Sequence, residues 1–137
     1  VKTSQLLRGA ALLAAALAPL SAAEKAPPAG AELSVGAAFA QLKRSPTDAA
    51  LLLRAVELTP EGRSPYSKEL EAAARARLAS DKSDYAAYLA LCKALRCSAR
   101  AQEAVSNCRR AMELDPTAYP AYRELGLSYA ASGDPRK

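Results

Sequence analysis

The sequence predicts an all-α protein built of stacked antiparallel helix hairpins, on three observations. The apolar half of the composition is mostly alanine and leucine, with one Phe, no Trp, and valine only at Val1, Val35, Val56 and Val105. That mixture favours helix over the β-branched and aromatic surface a sheet needs. Small polar residues followed by proline, at Ser45-Pro46 and Ser64-Pro65, punctuate the helical patterns. Finally, the chain repeats itself at an offset of 34 residues. Tyr85-Ala86-Ala87-Tyr88 falls on Tyr119-Pro120-Ala121-Tyr122, Leu91 on Leu125, Cys92 on Gly126 and Leu95 on Tyr129. A period of that length signals stacked helical units.

The elements follow in order. Residues 1–23 read as a secretory signal: Lys2 and Arg8 form a basic start, Ala10 to Ala18 an apolar core, and Ser21-Ala22-Ala23 a small-residue cleavage site, with cleavage expected between Ala23 and Glu24. The core is too short to span a membrane, which takes roughly 20 apolar residues, so no span is expected once the signal is removed. Residues 24–30 form a Pro/Ala linker of extended backbone. Ala31 to Arg44 is a first helix, with Leu33, Ala37, Ala40 and Leu42 near one face. Thr47 or Asp48 caps a second, Ala49 to Leu58, on which Leu52, Ala55 and Val56 form the apolar face. Thr59 to Pro65 is a loop, and Ser64-Pro65 opens a helix to about Ala79. Ser83 or Asp84 opens the next, where Tyr88, Leu91, Cys92 and Leu95 stand at i, i+3, i+4 and i+7 on one face. Ala104, Cys108 and Ala111 form the matching face of the helix after it. Small side chains at Cys92, Gly126 and Ala104 are expected to let helices approach closely. The last helix runs from Tyr119 to Ser132. Beyond it, Gly133-Asp134-Pro135 has the residues of a helix end followed by a helix start, so a further helix is expected to follow.

These residues carry a family resemblance. Tyr122-x2-Leu125-Gly126-x2-Tyr129 resembles the first helix of a tetratricopeptide repeat (TPR). In the preceding unit Tyr88, Leu91, Cys92 and Leu95 fill the first-helix positions. Ala104, Cys108 and Ala111 fill those of the second helix, and Leu114-Asp115-Pro116 is similar to the closing signature. The resemblance implies a right-handed superhelical α-solenoid with a cap or half repeat at 31–46, a degenerate repeat at 47–84, a full repeat at 85–118 and an incomplete one at 119–137. The degenerate repeat carries about two extra residues, assigned to the Thr59–Pro65 loop. Members of this family bind extended peptides or helices in a groove lined by their first helices. By that resemblance the groove lining is Leu89, Lys93, Arg96, Arg123 and Leu127, a basic patch with an apolar element. It suits an acidic or C-terminal carboxylate ligand, and reads equally as a solvated face. Asn107 falls on a second helix, unlike the asparagine of a two-carboxylate clamp.

Chemistry is thin by comparison. The chain has no histidine, which removes the commonest general base and zinc ligand, and it has no phosphate-binding or nucleophile-elbow motif. No catalytic residue, metal or cofactor is expected. The net charge of +5 falls to +3 without Lys2 and Arg8, a dispersed solubility charge that does not point to nucleic acid. The spacing of Cys92, Cys97 and Cys108 lacks paired CxxC motifs. Cys92 and Cys108 face each other across one hairpin, so they read either as a disulfide or as small packing residues. The expected protein is a non-catalytic interaction scaffold of the periplasm or cell envelope, or else the interaction segment of a larger protein with its catalytic or anchoring domain elsewhere.

Overall fold

A computed structural model describes residues 33–133. Over these residues the chain is all-helical, with no strand: α1 (Val35–Arg44), α2 (Ala49–Leu58), α3 (Ser67–Ser80), α4 (Tyr85–Cys97), α5 (Ala101–Leu114) and α6 (Tyr119–Ser132). No helix among them is long and apolar enough to cross a membrane. The signal, the linker and the Ala23–Glu24 cleavage position lie outside the described residues, as do Asp134 and Pro135.

Caps fix three of the starts. The Ser34 hydroxyl accepts from the Ala37 N–H at 3.2 Å, and Asp48 and Asp84 each accept from the N–H three residues on, Leu51 and Ala87, at 3.0 Å. Each satisfies a donor that the first helical turn leaves free. α3 begins two residues later than the Ser64-Pro65 signal indicates. Ser64 instead accepts from the Tyr66 N–H through its hydroxyl and from Ser67 through its carbonyl, holding a turn before the helix. That turn extends the loop after α2 and takes up the two extra residues: α2 starts 36 residues before α4, whereas α4 starts 34 before α6.

Three local features recur at the 34-residue offset. Asp81 and Asp115 each accept from a backbone N–H two residues on, at Ser83 and Thr117. The hydroxyls of Tyr88 and Tyr122 each donate to a carbonyl six residues back, Lys82 and Pro116. Ala99 and Gly133 both adopt the left-handed conformation after a helix, with φ of 62° and 76°. At Ala99 the cap is complete: the Arg100 N–H reaches the Leu95 carbonyl at 2.9 Å and the Ala99 N–H reaches Arg96 at 3.2 Å, the paired bonds of a Schellman motif.

α4 is the centre. It packs against α3 and α5, its neighbours in sequence, and against α2 and α6 as well. It is therefore buried nearly all round, at Ala86, Ala87, Leu89, Ala90, Leu91, Cys92, Lys93, Ala94, Leu95 and Cys97, the pattern of a helix enclosed on every side. The core continues through Leu52, Ala55 and Val56 of α2, Leu70 and Ala74 of α3, and Ala104, Cys108 and Ala111 of α5. Phe39 of α1 stacks on Tyr66 with centroids 5.4 Å apart.

Several expected packing positions differ. On α1 the buried residues are Ala38, Phe39 and Leu42, while Ala40 is exposed. Phe39, the large aromatic of that face, stacks on Tyr66. Gly126 is exposed, and a Cβ added there would meet nothing within 4 Å. The close approach on α6 is made instead by Ser128, fully buried, whose hydroxyl lies 3.6 Å from the sulfurs of both Cys92 and Cys108. Tyr122 and Pro116 are exposed, and Leu125 and Tyr129 are half-buried, because their outer side has no neighbouring helix among the described residues.

Candidate functional site

The helices α2, α4 and α6 meet around a cavity of about 240 Å³ lined by Leu53 and Val56 of α2, Tyr85, Leu89 and Lys93 of α4, and Pro120, Arg123 and Glu124 at α6. Spacing of four along α4 brings Leu89 and Lys93 onto one stripe, and α6 contributes the equivalent position, Arg123. The structure thus draws together Leu89, Lys93, Arg96 and Arg123 of the expected groove. Leu127 is half-buried on α6 and does not line the cavity.

The expectation of an open basic patch does not hold. Leu89 and Lys93 are buried, and the Arg96 side chain is 7% exposed. α4 has helices on both flanks, and its cations are enclosed with carboxylates. Arg96 spans Glu61 at 2.7 Å and Glu124 at 2.6 Å. Lys93 meets Glu61 at 3.3 Å. Arg123 reaches Glu124 at 2.9 Å and Glu61 at 3.5 Å. Three cations therefore share two carboxylates. Glu124, on α6, is 2% exposed, which its two arginine partners make tolerable. Glu61, from the loop between α2 and α3, is 48% exposed.

Burial by itself raises the Glu61 carboxyl, but the hydrogen bond and charge of Arg96, followed by those of Lys93, outweigh it and hold the group below the ordinary carboxylate range. Arg96 is likewise opposed by burial, and its bonds to Glu61 and Glu124 leave it raised. Two polar atoms here are buried without a hydrogen-bond partner among the described residues, the Tyr85 hydroxyl and Arg96 Nε.

Sequence reasoning missed both acids. Glu61 lies in a loop with no periodicity to place it. Glu124 follows Arg123 and reads as one more surface charge, although its position four residues before the buried Ser128 marks it as sharing that inward stripe.

The expected cysteine contact is present. Cys92 and Cys108 stand across the α4–α5 interface with Cα atoms 5.2 Å apart and sulfurs in bonding contact, paired as a disulfide, a Cα separation such a bond spans. Cys97 is a buried free thiol that burial, its largest influence, raises above the ordinary value. Asn107 donates to the Glu103 carbonyl within α5, away from the cavity. Among the described residues no three His, Cys, Asp or Glu side chains are placed to hold a metal ion.

No protein-family model, curated protein or solved structure matches this chain.

Proposed function

We propose that the chain is a non-catalytic interaction scaffold: a TPR-like, right-handed α-solenoid that receives a partner peptide or helix against α2, α4 and α6, in the periplasm or cell envelope. The observation that carries this reading is the recurrence of local structure at 34 residues. A repeated tyrosine-to-carbonyl bond, a repeated aspartate turn and a repeated left-handed cap are what copies of one hairpin unit would share. Stacked hairpins bury their apolar faces against one another and leave an extended surface for binding. In such a stack α2, α4 and α6 are successive first helices, and the cavity they line has apolar walls beside an ionic cluster. That combination of apolar contact with a few placed polar groups suits a ligand. Export rests on the three-part pattern of residues 1–23.

Affinity purification from the source envelope tests the reading, comparing the wild type with Arg123→Glu and Leu53→Arg. Both positions line the cavity, and neither is fully buried, so circular dichroism should report a folded chain. A partner retained by the wild type and lost by both variants is the expected result. Undiminished capture by both variants would rule out this surface.

A further inference from the structure

The cations of α4 and α6 already hold a carboxylate that is not part of the helical frame. We propose that Glu61 is a displaceable occupant of a carboxylate-binding site, and that residues 59–64 form a strap which a partner peptide must lift with an acidic side chain of its own. This rests on the groove reading above and assigns the partner's chemistry and the control of access.

The two carboxylates of the cluster are not equivalent. Glu124 is fixed in α6 and enclosed, whereas Glu61 is half-exposed at the tip of a loop. On one side the strap is anchored by Thr59, buried and donating to the Ala55 carbonyl at 2.7 Å, and on the other by buried Ser64, whose carbonyl accepts from the Ser67 hydroxyl. Between them Glu61, Gly62 and Arg63 are exposed, and Gly62 turns the tip at φ +82° with open space around it. The tip can therefore swing out while both anchors stay in place.

Its departure would leave Lys93 and Arg96, both enclosed, with Glu124 and Arg123 for company. Three positive charges facing one negative charge in a poorly hydrated site is a costly arrangement. An arriving carboxylate restores the pairing that Glu61 made. Beside the cluster the cavity offers Leu53, Val56 and Leu89 to an apolar side chain. The fitting ligand is a peptide with an acidic residue adjacent to an apolar one.

The test titrates the isotope-labelled chain with acetyl-Leu-Glu-Leu-amide and its Gln counterpart by NMR, using the wild type, Glu61→Ala and Glu61→Gln. Both variants should bind the Glu peptide at least tenfold more tightly than the wild type, with shifts centred on Lys93, Arg96 and Arg123, and show no such gain for the Gln peptide. Equal affinities across the three proteins, an equal gain for the Gln peptide, or no binding at all would overturn the proposal. So would variants that fail to fold, because a chain that needs Glu61 to fold holds it as a fixed structural pair. If these titrations fail while Arg123→Glu still abolishes partner capture, the groove stands without the strap.

Discussion

At the residue scale, Ala99 and Glu61 show how much one side chain's surroundings decide. Ala99 occupies a left-handed position that costs a residue with a Cβ roughly 1–2 kcal/mol, and Gly133 fills the matching place without that cost. Glycine is more mobile in the unfolded chain, which offsets part of the gain. Ala99→Gly should stabilise the protein by about 0.5–1 kcal/mol, read as a higher midpoint in thermal melts followed by circular dichroism. Glu61 is held below its ordinary value of 4.5 by Arg96 and Lys93 against the opposing effect of burial. The unfolded chain therefore binds a proton at this site more readily than the folded one. Its contribution is complete above about pH 4.5 and is lost as pH falls through the lower folded value. The stability difference between the wild type and Glu61→Gln should shrink on acidification below that point in urea titrations, and a difference independent of pH would contradict the pairing.

At the element scale, the helices were legible and their surroundings were not. The apolar face of α2 follows from spacing, and residue type narrows two caps to Thr47 or Asp48 and Ser83 or Asp84, of which the aspartates make the bonds. Six of the expected positions on α4 and α5, namely Leu91, Cys92, Leu95, Ala104, Cys108 and Ala111, are buried as their spacing requires, and Tyr88 is half-buried. What spacing along α4 could not reveal is that the helix has neighbours on every side. A charged residue on an amphipathic helix is ordinarily assigned to solvent, so Lys93 and Arg96 read as groove cations. Their partner Glu61 is 35 residues from Arg96 in the chain, and no local pattern joins them. The enclosure also makes α6 depend on an acid. Glu124→Ala would strand Arg96 with one partner in a buried site, and should cost about 3–5 kcal/mol in urea denaturation monitored at 222 nm. A loss below 1 kcal/mol would mean that Arg96 finds water instead.

At the scale of the whole molecule, the offset of 34 was legible because it is written twice, once in side chains and again in the hydrogen bonds they make. The stretch from the start of α2 to the start of α4 is two residues longer than that from α4 to α6, and the loop within it carries Glu61, the carboxylate that closes over Lys93 and Arg96. The Cys92–Cys108 pair closes a loop across α4 and α5 with a sequence separation of 16. A bridge over such a loop is worth about 3 kcal/mol. Thiol titration of the denatured, unreduced chain should find Cys97 alone, and a reducing agent should lower the melting midpoint by several degrees. Three free thiols would show the pair to be open.

Ser128 adds a kinetic corollary. The two sulfurs are sealed from solvent, and the α6 hydroxyl lies against both. Thiol–disulfide exchange needs an attacking thiolate to reach sulfur, so a reductant has to wait for the helices packed over the pair to open. The rate of reduction under native conditions, once it no longer rises with reductant concentration, is then a stopwatch on the opening of the helices around the bridge.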